Sequence, residues 1–122
     1  MRGAALLLFA ALPATACPLP APQMQKAGVQ AAWKVDGAPI AVGRFFAIEV
    51  QLCPVGAVLS RADATMPEHR HGMNYRPSVK SLGDGRWRVE GLMFHMPGRW
   101  ELQLDVKADG RTERLLDNFT LQ

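Results

Sequence analysis

The sequence has little of what an enzyme or a nucleic-acid-binding protein needs. Its 122 residues contain no Gly-x-Ser-x-Gly turn that would present a catalytic serine and no glycine-rich loop that would cradle a phosphate. The 14 Lys and Arg residues barely outnumber the 11 Asp and Glu residues, and they form no cluster interleaved with aromatic residues. The sequence therefore predicts that the protein is not an enzyme and binds no nucleic acid.

Long hydrophobic runs are also scarce, and the one that exists lies at the N-terminus. Arg2 precedes GAALLLFAAL, which is too short to span a bilayer, and Pro13 and the small residues ATA follow before Cys17. A charged residue, an apolar run and a small-residue motif in this order are typical of a secretory signal peptide. We expect residues 1–16 to be removed, which leaves a formal charge of 13 − 11 = +2, and the mature chain to be periplasmic.

Cysteine is rare, since only Cys17 and Cys53 are present, and each is followed directly by proline. Two cysteines in an exported chain most often form a disulfide, which here would fasten the N-terminal segment to the end of a strand. Two alternatives stay open. A Cys at the first mature position is also where bacterial lipoproteins carry their lipid anchor, and Cys53 could be a thiolate metal ligand. Cys53 lacks the closely spaced His and Met of a blue-copper site.

From residue 30 onward the hydrophobic pattern is that of short strands. Apolar and polar residues alternate in RFFAIEVQL (44–52), RWRVEGLMF (86–94) and RWELQLDV (99–106), and weaker strands fit VQAAWKV, AVLSRADA, RPSVKSL and RTERLLDNFTL. Turn signals rich in Gly, Pro and Asp separate these runs. About seven antiparallel strands without an amphipathic helix predict an all-β, immunoglobulin-like β-sandwich over residues 30–122, with a small barrel as the alternative.

Finer predictions follow from the same pattern. The Pro-rich residues 17–29 show no periodicity and are expected to form an extended leader, in which Met24 has no structural role. Alternation along 86–94 places Met93 on the inner face, with Trp87 and Val89. Trp100 stands at the start of a late strand, where immunoglobulin-like domains place a corner aromatic residue.

The three histidines occur in two short segments that also carry methionine. MPEHRHGM (66–73) contains His69, His71 and Met73, and FHMPG (94–98) contains His95 beside Met96. The first segment is predicted to be a loop and the second a strand end at a turn, so at one end of a sandwich they can share a site. Imidazole with thioether favours monovalent copper, and it withstands an oxidising compartment. The sequence predicts Cu(I) bound by these five side chains.

Alternatives remain for several of these residues. Met66 is either a reserve ligand or a core residue, and Trp100 could shield the metal with its ring. Zinc is the alternative ion, with the three histidines and Glu68 as its donors. A polar loop and an interior histidine would explain the same residues without metal. The protein would then be a metal-free interaction domain that assists assembly of an extracytoplasmic complex.

Two segments, ADATMPEHRHGMNYRP (62–77) and VEGLMFHMPGRWELQLDV (89–106), resemble the YtkA-like family of exported bacterial proteins. That family is similar to the FixH proteins linked to cytochrome oxidase assembly. The resemblance covers about residues 30–122 and implies a small extracytoplasmic sandwich that hands copper to, or buffers it for, a copper protein such as an oxidase. FixH-related members have a membrane anchor, and no such segment is evident after the signal here.

A looser likeness connects the same two segments with PCuAC-type periplasmic copper chaperones. The His and Met ligands of those chaperones come from two such loops. Their motif ends His-x-Met, whereas His95 and Met96 are adjacent here. The likeness therefore supports a two-loop site but does not identify its last ligand.

Overall fold

Two antiparallel β-sheets face each other in the computed structural model, which describes residues 3–6 and 17–122. The strands are β1 (Met24–Lys26), β2 (Val29–Asp36), β3 (Phe45–Cys53), β4 (Val58–Met66), β5 (His71–Gly72), β6 (Ser78–Gly83), β7 (Arg86–Met93), β8 (Gly98–Ala108) and β9 (Arg111–Leu121). A single turn of 3-10 helix spans Pro67–His69. The predicted signal peptide, residues 1–16, lies outside the described residues apart from 3–6. Within the described ranges no helix is long and apolar enough to cross a membrane.

The strand order is that of an immunoglobulin constant domain. One sheet has the order β1-β2-β3-β7-β6, in which β2-β3-β7-β6 matches strands A-B-E-D. The other has the order β5-β4-β8-β9, in which β4-β8-β9 matches C-F-G. The predicted immunoglobulin-like sandwich is therefore confirmed, with nine strands rather than seven. The two additional strands are β1, of three residues, and β5, of two.

The core lies between the sheets in two clusters. Every second residue of β8 from Trp100 to Val106 is buried, as alternation predicts, and Ile48, Val50 and Leu52 of β3 contribute to the larger cluster. Burial of each such side chain contributes about 1.5–3 kcal/mol relative to exposure. The smaller cluster, called here the Trp100 cluster, consists of Ala64, Met66, Phe94, Trp100 and Leu121.

The N-terminal segment is better ordered than the sequence predicts. Residues 24–26 contain no proline, so their backbone can pair, and β1 joins the edge of β2 with Met24 opposite Ala31. Met24 is 2% exposed and belongs to the larger core cluster, so the prediction that it has no structural role is wrong. The predicted disulfide between Cys17 and Cys53 is confirmed, and it ties this segment to the end of β3.

A bulge changes the alternation in β7. Gly91 has φ of 84°, and the pairing of β3 with β7 shifts register between Phe46 and Ile48. Beyond the bulge Leu92 and Phe94 are buried, whereas Met93 is only partly buried and belongs to neither cluster. The prediction of Met93 on the inner face is therefore wrong.

Candidate metal centre

The three histidines lie in a row at one end of the sandwich. The ring centroids of His69 and His71 are 5.7 Å apart, and those of His71 and His95 are 5.2 Å apart. The Trp100 ring packs edge to face against two rings of this row. Its centroid lies 6.1 Å from that of His71 and 5.4 Å from that of His95. We call His69, His71 and His95 the histidine row.

Local backbone geometry decides how far each histidine of the first segment reaches inward. Pro67 begins the one-turn 3-10 helix, a position that suits its fixed φ and missing N–H. Arg70 then adopts a left-handed conformation with φ of 53°, and its N–H bonds to the Pro67 carbonyl. This reversal leaves His69 exposed on the helix and starts β5 at His71, which is half-buried. The segment was predicted to be a loop throughout, so β5 corrects that prediction.

Strand pairing directs His71 toward the methionines. His71 of β5 is directly opposite Met66 of β4, and directly opposed residues of an antiparallel pair have their side chains on the same face. Met66 is buried in the Trp100 cluster, so His71 faces inward. Met73 follows two residues later, and its N–H bonds to the Ala64 carbonyl at 3.3 Å, which continues the pairing. Met66, His71 and Met73 therefore share the inner face.

Met66 also reaches toward the second segment. A Cβ atom added to Gly98 would lie 2.8 Å from the Met66 methyl carbon. Gly98 has φ of 125°, a conformation that favours glycine, and the absent side chain makes room for the thioether. Met66 thus extends from the end of β4 to the start of β8, beside the turn that carries His95 and Met96.

His95 is held by the core rather than by a flexible loop. Phe94 before it stacks on Trp100 with ring centroids 4.5 Å apart, and the Trp100 indole N–H donates to the Met96 carbonyl at 3.0 Å. This hydrogen bond is the counterpart of the corner bond in immunoglobulin domains and fixes the turn. His95 Nδ1 is buried, and in residues 3–6 and 17–122 it is the one buried side-chain nitrogen or oxygen that has no hydrogen-bond partner.

The ring nitrogens of His71 are distinguished by a hydrogen bond. Nδ1 of His71 lies 3.2 Å from the Gly72 carbonyl, which can only accept, so Nδ1 carries the proton. Nε2 then has a free lone pair. Metal-binding histidines commonly have this arrangement, in which one nitrogen donates to a backbone carbonyl and the other faces the ion.

The spacing of the rings suits pairs of ligands. Two imidazoles that bind one ion through nitrogens about 2 Å from it have ring centroids about 5–6 Å apart. Both neighbouring pairs in the histidine row fall in this range. In the described part of the chain no three His, Cys, Asp or Glu side chains are grouped to hold a metal ion, so the three rings do not form one three-imidazole site. A third donor beside a pair of imidazoles must therefore come from another residue type, and methionine is the one that lies close by.

The predicted thioethers are part of the core to different degrees. Met96 is half-buried and packs on the Trp100 cluster. Met73 is half-buried, touches both core clusters, and lines a cleft of about 420 Å³ with Arg61 and Tyr75. Met66, which from the sequence could be a reserve ligand or a core residue, is buried in the core and is the methionine opposite His71. The signal that could have identified it is its place at the end of a strand that leads into a histidine-bearing turn.

Charged groups anchor the first segment without entering the histidine row. Arg99 of β8 donates to Glu68 at 2.8 Å and to Asn118 of β9 at 2.7 Å. The hydrogen bond from Arg99 lowers the pKa of Glu68 below its ordinary value. Glu68 is thus engaged by Arg99, and the side chains that line the row are imidazoles, thioethers and an indole.

Comparison of the chain with protein families, with curated proteins and with solved structures finds no match. The chemistry of the site is therefore inferred from its own geometry: a row of imidazoles beside one buried and two half-buried methionines, with the Trp100 indole beneath the row.

Proposed function

We propose that the protein binds Cu(I) at the end of the sandwich that carries the histidine row, and delivers it to, or buffers it for, a copper protein. The observation that carries this proposal is His95 Nδ1, which is buried without a hydrogen-bond partner. A buried, unpaired nitrogen costs about 1–3 kcal/mol, and a metal ion would remove that cost. His71 and His95 are the central imidazole donors, 5.2 Å apart by ring centroids.

The donor types favour copper in its monovalent state. Imidazole and thioether are neutral, and thioether sulfur competes well for soft ions but poorly for zinc. The sulfur donors in this proposal are Met66, which is opposite His71, and Met96, which follows His95. His69 and Met73 are the remaining members of the ligand set that the sequence predicts. The buried Trp100 ring would keep water from one side of the ion.

An extracytoplasmic location is part of the proposal. A disulfide between Cys17 and Cys53 is compatible with an oxidising compartment, where thioethers persist and free thiols do not. The partner is then an extracytoplasmic copper-receiving protein, for which we propose no further identity.

A matched pair of methionine variants tests the role of Met66. Met66→Leu and Met24→Leu make the same change at sites 1% and 2% exposed, and Met24 lies near the disulfide, at the other end of the sandwich. Both should cost less than about 1.5 kcal/mol of stability because volume is nearly conserved. Only Met66→Leu should weaken Cu(I) binding, by about tenfold or more. Competition with a Cu(I) chelator measures this, and equal affinities for the two variants would contradict the assignment.

Metal choice is a separate prediction. The reduced, metal-free protein should bind one Cu(I) and should prefer it strongly over Zn(II). The reason is that the proposed site offers two imidazoles, from His71 and His95, and its other donors are thioethers. Parallel titrations with Cu(I) and Zn(II), each against a chelator of known affinity, provide the measurement. Tighter binding of zinc would instead indicate a histidine-based zinc site.

An exposed aromatic pair favours the second candidate function, a metal-free interaction domain. Phe45 and Tyr75 are 59% and 46% exposed, and their rings meet edge to face at 4.9 Å. Phe45 pairs with Met93 at the end of β7, so this pair lies near the histidine row. Failure to bind Cu(I), together with a partner complex that is lost in a Phe45→Ser variant, would support this function over copper binding.

A further inference from the structure

The histidine row runs from solvent into the core. His69 is exposed on the 3-10 helix, His71 is half-buried, and the Nδ1 atom of His95 is fully buried. The centroid distances of 5.7 Å and 5.2 Å place each ring close enough to the next for the two to bind the same metal ion. Because the three rings do not form one three-imidazole site, an ion held between His71 and His95 lies beyond the pair that includes His69.

We propose that His69 is the entry residue of the copper site and not one of its final ligands. This inference rests on the proposed Cu(I) binding and changes the role that the sequence assigns to His69. His69 receives Cu(I) from an external donor at the surface. The ion then moves to His71 by ligand exchange, in which a bond from Cu(I) to His71 forms as the bond to His69 breaks. The oxidation state of copper does not change.

The backbone supports this role for His69. Arg70 in the left-handed conformation separates His69 from the β5 pairing, so the His69 side chain is not fixed by a strand as that of His71 is. Nε2 of His71 is the ring nitrogen available for the exchange, because Nδ1 of that ring is engaged with the Gly72 carbonyl.

Accessibility of the rings can be measured without copper. Diethyl pyrocarbonate, which acylates accessible imidazoles, should modify His69 fastest, then His71, and His95 slowest in the metal-free protein. After loading with Cu(I), His71 and His95 should become protected while His69 remains reactive. Protection of His69 to the same extent as His71 would overturn the proposal, because it would make His69 a final ligand.

Kinetics of copper transfer provide the decisive test. We would follow exchange of Cu(I) with bicinchoninate by stopped flow in the wild type, in His69→Ala and in Asn74→Ala. Asn74 is an exposed control that directly follows the segment 66–73. His69→Ala should slow both uptake and release about tenfold, an added barrier of about 1.4 kcal/mol, with the dissociation constant unchanged. Asn74→Ala should match the wild type.

The outcomes separate the entry role from the binding function itself. An increase of the dissociation constant by tenfold or more in His69→Ala would identify His69 as a final ligand. Unchanged rates of uptake and release would show that copper does not pass through His69. Either result overturns the entry role while copper binding stands. If the wild type removes no Cu(I) from bicinchoninate, the proposed function fails, and the entry role fails with it.

Discussion

Replacing His95 with leucine is expected to make the copper-free protein more stable, by about 1 kcal/mol, and to weaken its binding of Cu(I) on the order of 100-fold. The two effects have one cause. His95 Nδ1 is buried without a partner, so the metal-free fold bears the desolvation cost of that nitrogen. Leucine is similar in size and removes the cost, but it also removes a ligand. Chemical unfolding and chelator competition measure the two quantities.

The opposite directions of the two effects make this prediction strict. If His95 served only the structure, its replacement would lower the stability of the protein and leave the Cu(I) affinity unchanged. Asn74→Ala is the control, since Asn74 is exposed in the neighbouring segment and should alter neither quantity. Excess Cu(I) should raise the melting temperature of the wild type and of Asn74→Ala, and should raise that of His95→Leu much less.

Removal of the disulfide is expected to have the largest effect on stability. Cys17 and Cys53 are 36 residues apart in the sequence, and closing a loop of this length restricts the unfolded chain by about 4 kcal/mol in the chain-entropy model. The double variant Cys17→Ala/Cys53→Ala should lose about that much free energy of unfolding. It should also free residues 17–23 and weaken the pairing of β1 with β2.

Measuring Cu(I) affinity separates this loss of stability from damage to the proposed copper site. Cys53 ends β3 and Phe45 begins it, so the disulfide lies roughly 26 Å along the strand from the end that carries the histidine row. The folded double variant should bind Cu(I) as the wild type does. Mass spectrometry of the exported protein supplies the chemical check: two free thiols, or a diacylglyceryl group on Cys17, would contradict the pairing.

Alternation predicted the fold where strands are regular. The period of two along β8 identified every inward residue from Trp100 to Val106, and the same pattern along β3 identified Ile48, Val50 and Leu52. It failed at Gly91, because a bulge depends on how β7 meets β3, and no local pattern specifies that register. Met93 was therefore assigned to the wrong face.

The candidate site depends on the same kind of long-range pairing. The sequence identified both histidine-bearing segments, but not that Met66 is opposite His71, because β5 is only two residues long and lies between a helical turn and a bend. The burial of the His95 Nδ1 atom follows from the bulge at Gly91 and from the stacking of Phe94 on Trp100, which are tertiary features. Met24 was missed for a similar reason, since β1 is ordered by β2.

The most direct test of copper binding at the histidine row is X-ray absorption at the copper edge, on the protein loaded with one equivalent of Cu(I). The proposed function predicts mixed coordination, with imidazole nitrogen from His71 and His95 and thioether sulfur from the methionines around them. The nitrogen contribution should fall in His95→Leu, and the sulfur contribution should fall in Met66→Leu but not in Met24→Leu. A shell of nitrogen and oxygen alone, or a protein that retains no copper, would contradict the account.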